Sequence, residues 1–217
     1  MIVLFDLDYT LTRRGTWGRF VWSAVRRRPW LWLPLICGTV SNQIDYRRGR
    51  TPRGTVKRSM MRWSLRHCRR EEILRLAADF ADKEVRRLRP GAVRALRHHL
   101  ESGDTVVVAS AAVDLIVQPL CERLGIAHYV CTPTAWDGEK LSACSASRNC
   151  YGESKHEAVA CYLRTEGLGE HADLLYTDSR ADFALAPIVD RIVVVNPKAR
   201  TREEATRRRY PIENWNT

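Results

Sequence analysis

Thr105-Val106-Val107-Val108-Ala109 carries no charge and shows no alternation of polar with apolar residues. A strand with one face in water alternates, whereas a β-branched run without alternation belongs to a strand buried on both faces, as in parallel sheets covered by helices. This stretch therefore points to the α/β class. Residues 2–5, 127–131, 173–177 and 191–195 read as further strands. Between them, residues 92–100, 114–124, 155–166 and 181–186 carry helical patterns. The expected fold is a Rossmann-like parallel sheet, with a hairpin over 134–143 signalled by Asp137-Gly138. Residues 201–217 are expected to form a basic C-terminal tail, peripheral or frayed.

The length of 217 residues suits one larger domain with an insert. Charge locates that insert. Residues 11–90 contain 21 Lys and Arg against 6 Asp and Glu, a net of +15, while the rest of the chain has a net of −4. Five of the seven tryptophans (Trp17, Trp22, Trp30, Trp32 and Trp63) fall in the same segment. Helical spacing begins at Arg19 and returns over 56–68 and 70–88, after a basic loop at 45–58; Arg89-Pro90-Gly91 then marks the return to the main domain. The expected division is a core of residues 1–12 and 90–200 and a helical cap of residues 13–89.

Inside the cap, residues 29–40 run for twelve positions without a charge after Arg26-Arg27-Arg28. As a helix the run reaches about 18 Å, short of the ~30 Å hydrocarbon core of a bilayer. Two placements stay open. The run packs inward as the core of the cap, or it lies at a membrane interface with indole rings at headgroup level and arginines on anionic phosphates. Pro34 is expected to interrupt the helix in either case.

Seven cysteines, at 37, 68, 121, 131, 144, 150 and 161, include no Cys-x-x-Cys pair, so no zinc framework is legible and reduced thiols in a cytoplasmic compartment are the simplest account. No Cys-x5-Arg loop is present, which excludes a cysteine-dependent phosphatase. The first residues enter a strand directly, without the basic and apolar regions of a secretory signal.

The polar residues that end the expected strands carry the chemistry. Ile2–Phe5 runs into Asp6-Leu7-Asp8-Tyr9-Thr10; the valine run ends on Ser110; Lys155 opens a helix; and Asp178-Ser179-Arg180-Ala181-Asp182 follows the strand at 173–177. Each alone has an ordinary explanation as a cap or a solvated charge. In this order and on these elements they resemble the motifs of the haloacid dehalogenase-like superfamily: Asp-x-Asp-x-Thr, then Ser, Lys, and a distal Asp-x-x-x-Asp. The helical insert after the first motif is similar to the type 1 cap of the superfamily's phosphoserine-phosphatase-like branch.

The resemblance implies a magnesium-dependent phosphatase. In it Asp6 is the nucleophile that becomes an aspartyl-phosphate, and Asp8 is the acid and base that serves the leaving oxygen and then water. Mg2+ would be held by Asp6, the Asp8 carbonyl and Asp178. Ser110 and Lys155 would bind the phosphoryl oxygens, with Asp182 and Thr10 as supports behind them.

Three positions depart from the pattern. Tyr9 stands where a small residue is usual, Ala111-Ala112 replace glycines, and Gly15 replaces the glutamate that reads the amino group of phosphoserine. Phosphoserine is therefore disfavoured. The arginine-flanked apolar cap resembles that of the bacterial phosphatidylglycerophosphatase C type, which implies a lipid phosphomonoester such as phosphatidylglycerophosphate. It also implies an anionic membrane surface as partner, with the protein peripheral on the inner face of the cell membrane. Arg13, Arg14, Arg47, Arg48 and Arg50 are all candidates for touching that substrate. A soluble small-metabolite phosphatase is the alternative. A nucleic-acid-binding protein would use the arginines and tryptophans but leave the acids without a purpose, and a non-catalytic scaffold would not need all the motif residues, so no nucleic acid is expected.

Overall fold

The structure is a computed structural model and describes residues 1–26, 28–51, 54–144 and 150–217. Arg27, and Pro52 and Arg53 of the expected basic loop, lie outside the described residues. In chain order the helices are α1 (Thr16–Val25), α2 (Trp32–Arg47), α3 (Gly54–Leu65), α4 (Arg70–Val85), α5 (Pro90–Glu101), α6 (Asp114–Leu124), α7 (Glu153–Thr165) and α8 (Ala199–Arg207). The strands are β1 (Ile2–Phe5), β2 (Thr105–Val113), β3 (His128–Thr132), β4 (Thr134–Asp137), β5 (Lys140–Cys144), β6 (Ala172–Thr177), β7 (Val189–Val195) and β8 (Ile212–Glu213).

Six strands form one parallel sheet in the order β3-β2-β1-β6-β7-β8. β1 lies between β2 and β6, so the acids that follow it emerge at the centre of the sheet's carboxyl edge. Its alternation divides two apolar layers. Val3 and Phe5 join Val106, Val108 and the helices α4 to α6, while Leu4 joins Val107, Leu175, Val194 and α7 and α8. β4 and β5 form the separate antiparallel hairpin expected at Asp137-Gly138.

The valine strand is longer than its sequence suggests. It runs to Val113, with a shift of register against β3 between Ala109 and Val113, so Ser110 lies within an irregular stretch of strand rather than beyond its end. Such an irregularity bends the strand and re-aims its side chains.

The tail is neither peripheral nor frayed. α8 and β8 close the edge of the sheet, and Trp215 is buried against Tyr176, 4.9 Å between ring centroids, and Phe5. Its backbone N–H donates to Asn196 Oδ1 at 2.7 Å, and its carbonyl accepts from the Gly91 N–H at 3.2 Å. A Cβ on Gly91 would lie 2.5 Å from Trp215 Cγ. Gly91→Ala is therefore expected to cost ~1–3 kcal/mol, visible as a fall of about 2–4 °C in Tm per kcal/mol. A variant that melts with the parent would show that the indole does not sit there.

The insert leaves and re-enters through a narrow neck. Thr12 pairs antiparallel with Leu88, and Arg89 N–H donates to Leu11 O at 3.0 Å. Beyond the neck, α2 and α3 lie so close that a Cβ on Gly38 would fall 2.7 Å from Trp63 Nε1, and Asn42 Nδ2 donates to Ser59 Oγ at 3.1 Å. α4 packs back onto α6, with Arg123 paired to Asp82.

Two expectations for 29–40 require correction. Pro34 does not interrupt the helix, because it occupies the first turn of α2, where backbone N–H groups have no helical acceptor in any case. Nor is the stretch the core of the cap. α2 has no buried residue, and Leu33 is 71% and Ile36 58% exposed.

Candidate active site

Pairing of β1 with β6 continues one residue past the strand, through Asp6 N–H to Tyr176 O at 2.9 Å. The chain then leaves the sheet in a wide turn over Leu7–Leu11, closed by Thr12 N–H on Leu7 O at 3.0 Å. Tyr9 takes φ +66° inside it, a conformation unusual for a bulky side chain. Two contacts hold it: Arg89 Nε donates to the Tyr9 carbonyl at 3.0 Å, and the Lys198 ammonium sits 4.8 Å from the ring centroid. The turn brings Asp8 over the start of α1, where its Oδ1 accepts from the Thr16 N–H at 2.8 Å.

Thr10 joins two loops. Its hydroxyl donates to Asp6 Oδ2 at 3.3 Å and accepts from the Asp178 N–H at 2.9 Å. Lys155, 2% exposed, reaches in from the first turn of α7 and donates to Asp6 Oδ1 at 2.9 Å and Asp182 Oδ1 at 2.8 Å. Asp182 is fixed on its other oxygen by Thr177 Oγ1 at 2.7 Å. Ser110 Oγ accepts from Ala112 N–H at 3.1 Å. All seven residues singled out in the sequence thus meet at one end of the sheet, and Asp6, Asp8, Ser110, Lys155, Asp178 and Asp182 line a single cleft of about 290 Å³.

The electrostatics of the cleft are unbalanced. Burial pushes the Asp6 carboxyl up to about 8; Lys155 opposes this, while Asp182 and Asp178 reinforce it. Burial raises Asp178 to about 6 and moves Asp8 upward, with Thr16 pulling Asp8 back. For Lys155, burial favours the neutral amine, but Asp182 and Asp6 outweigh it and hold the ammonium charged.

This surplus of acids is what a divalent cation would neutralise. Among the described residues no group of three or more His, Cys, Asp or Glu side chains is disposed to hold a metal. The oxygen donors that line the cleft are the carboxylates of Asp6, Asp8, Asp178 and Asp182, with no His or Cys among the described residues that line it. That is an all-oxygen set leaving positions for water, which fits Mg2+ rather than zinc.

Several cleft residues carried no signal of their own in the sequence. Lys57 of α3 donates to the Ala111 carbonyl at 2.5 Å, beside Ser110, and Trp17, Tyr151 and Lys198 complete the walls. The Trp17 Nε1–H is buried and has no hydrogen-bond partner among the described residues. Lys57 lay hidden in a run of basic residues. Conversely, none of the five arginines proposed for substrate lines this cleft. Arg13 and Arg14 line another, of about 590 Å³, with Arg19, Arg86 and Arg87.

Comparison with known proteins agrees with this geometry. The family model described as haloacid dehalogenase-like hydrolase matches residues 3–187. A probable phosphatase of Mycobacterium tuberculosis is 32% identical over 114 residues, which are 52% of this chain and 39% of that protein; the chain thus spans well under half the length of this relative. A histidinol-phosphatase of Neisseria meningitidis is 25% identical over 157 residues, covering 67% of this chain and 68% of that protein. Among solved structures, a protein of unknown function from Bordetella pertussis Tohama I superposes with a TM-score of 0.78 at 23% identity, covering 97% of this chain and 96% of that one. A phosphoserine phosphatase holding an analogue of its phospho-aspartyl intermediate gives 0.59 at 16% identity, covering 100% and 93%. At such identities the structural likeness shows the fold.

Proposed function

The chain belongs to the haloacid dehalogenase-like hydrolase family, and from that premise we propose that it is a magnesium-dependent phosphatase working through an aspartyl-phosphate on Asp6. The observation that carries this is the Lys155 ammonium held between Asp6 and Asp182 at the carboxyl edge of the sheet, with Asp8 two residues along on the same turn. Asp6 attacks phosphorus while Asp8, whose carboxyl burial shifts upward toward its protonated form, gives a proton to the departing oxygen. Asp8 then takes a proton from the water that splits the acyl phosphate, and phosphate leaves with Asp6 restored. Ser110 already accepts a hydrogen bond from Ala112, so its own proton is available to a phosphoryl oxygen. Lys155 holds Asp6 in line and adds positive charge beside the phosphoryl group. Asp182 and Thr10 position Lys155 and Asp6. Mg2+ held by Asp6, Asp178 and the Asp8 carbonyl would neutralise the phosphoryl oxygens.

For substrate, the insert supports a phosphomonoester on an anionic amphiphile, such as phosphatidylglycerophosphate. It contributes Trp17 and Lys57 to the cleft walls, and it carries most of the protein's positive charge. The alternative is a soluble phosphomonoester, a reading supported by the Neisseria relative. A panel of phosphatidylglycerophosphate, histidinol phosphate and p-nitrophenyl phosphate, assayed with and without detergent, separates the two. The lipid should give the highest kcat/KM, by about tenfold or more; a higher value for a soluble ester would favour the alternative. Chelation should abolish turnover and Mg2+ restore it, and activity unaffected by chelation would remove the metal from the scheme.

A further inference from the structure

We propose that the outer face of α1, the Pro29–Leu31 turn and α2 is a docking surface for an anionic phospholipid bilayer. On α2, Leu33, Ile36, Cys37, Val40 and Ile44 follow helical spacing and occupy one stripe. All are exposed, with Leu33 at 71%, Ile36 at 58% and Val40 at 52%. The opposite side of α2 is taken up by α3, through Gly38 on Trp63 and Asn42 on Ser59, so the stripe faces away from α3. Trp30 is 69% exposed in the preceding turn, and the exposed rings of Trp22 and Trp32 meet at 5.3 Å, joining α1 to the same face. Monomeric proteins rarely show so continuous an apolar surface without an occupant.

Charge selects the occupant. The stripe has no charged residue from Leu33 to Ile44, and exposed arginines stand at both ends: Arg26 before it, Arg47, Arg48 and Arg50 after it. The nearest acid, Asp45, is 3.8 Å from Arg50. Apolar side chains and indoles between guanidinium groups suit the acyl boundary and the phosphates of an anionic leaflet. A second copy of the chain would instead bring one segment of net +15 against another. α2 is about 24 Å long, and no helix among the described residues is long and apolar enough to cross a membrane, so the contact is one of lying on the surface.

This assignment does not require a lipid substrate, and its test needs no turnover. The whole protein is floated with vesicles containing about 30% phosphatidylglycerol in phosphatidylcholine, with vesicles of phosphatidylcholine alone, and after substitution of Leu33→Gln, Ile36→Gln and Val40→Gln together. The parent should float with anionic vesicles only and bind less in high salt. The triple variant should partition about tenfold or more weakly, with an unchanged melting temperature and unchanged hydrolysis of p-nitrophenyl phosphate. Three results would overturn the proposal: a parent that stays unbound, a variant that binds as well as the parent, or a parent dimer that the variant dissociates. A parent that hydrolyses p-nitrophenyl phosphate but does not float removes the docking face alone, and a parent that floats without phosphatase activity removes only the proposed reaction.

Discussion

Asp6→Asn should reduce turnover of any good phosphomonoester by about 10³-fold or more while the fold persists. The amide is the same size, but it offers one acceptor oxygen to two donors, Thr10 and Lys155, and it cannot attack phosphorus. Lys155 keeps Asp182 as a counter-charge, so no buried ammonium is stranded. The variant also removes one of three neighbouring acids from a place where burial already opposes ionisation. Its melting temperature should therefore stay within a few degrees of the parent. The decisive pair of measurements is kcat on p-nitrophenyl phosphate and trapping of a phosphate adduct by mass spectrometry. An Asp6→Asn protein that keeps its turnover, or still forms the adduct, would place the nucleophile elsewhere.

Lys155→Met is the substitution with the largest expected effect on stability. Its ammonium is the shared partner of Asp6 and Asp182, both buried, and removing one member of such a group leaves uncompensated charge in the interior. The expected loss is ~3–5 kcal/mol, or roughly 10 °C in Tm for a chain of this length, together with loss of activity. Because the penalty comes from stranded carboxylates, neutralising one should restore part of it. Lys155→Met with Asp182→Asn should melt above Lys155→Met alone, whereas independent sites would add their losses. A single variant melting close to the parent would show that the lysine is dispensable to the fold and acts only on substrate.

Most of the sheet and the site were legible because both depend on local pattern. The valine run, the alternation of helix and strand, and acids at strand ends are short-range signals, and burial on both sheet faces leaves little freedom in how they are read. The C-terminal strand was not legible, since Ile212 and Glu213 are too short a run to show periodicity. What fixes them is Trp215 seated over Gly91, a contact across more than a hundred residues. The exposure of α2 was open for a different reason. An uncharged run looks the same whether protein or lipid covers it, and only the placement of α3 behind it shows that its outer stripe faces away from the chain. Lys57 and Trp17 were missed because selection of a cleft wall by an insert depends on how the insert folds back, which no spacing within it records.

The neck at Thr12 and Leu88 has a bearing on how such a chain can diversify. Both crossings are stitched to each other, and Arg89 then ties them to the turn after β1 through the Tyr9 carbonyl and to the far end of the chain through Asn216. The entropic cost of closing a loop rises only logarithmically with its length. Whatever lies beyond the clasp can therefore be lengthened, shortened or exchanged while the strand ends that carry the acids keep their positions. The clasp works as a socket: the acid-lined cleft can be refitted with a different insert, and so with different walls, without being rebuilt.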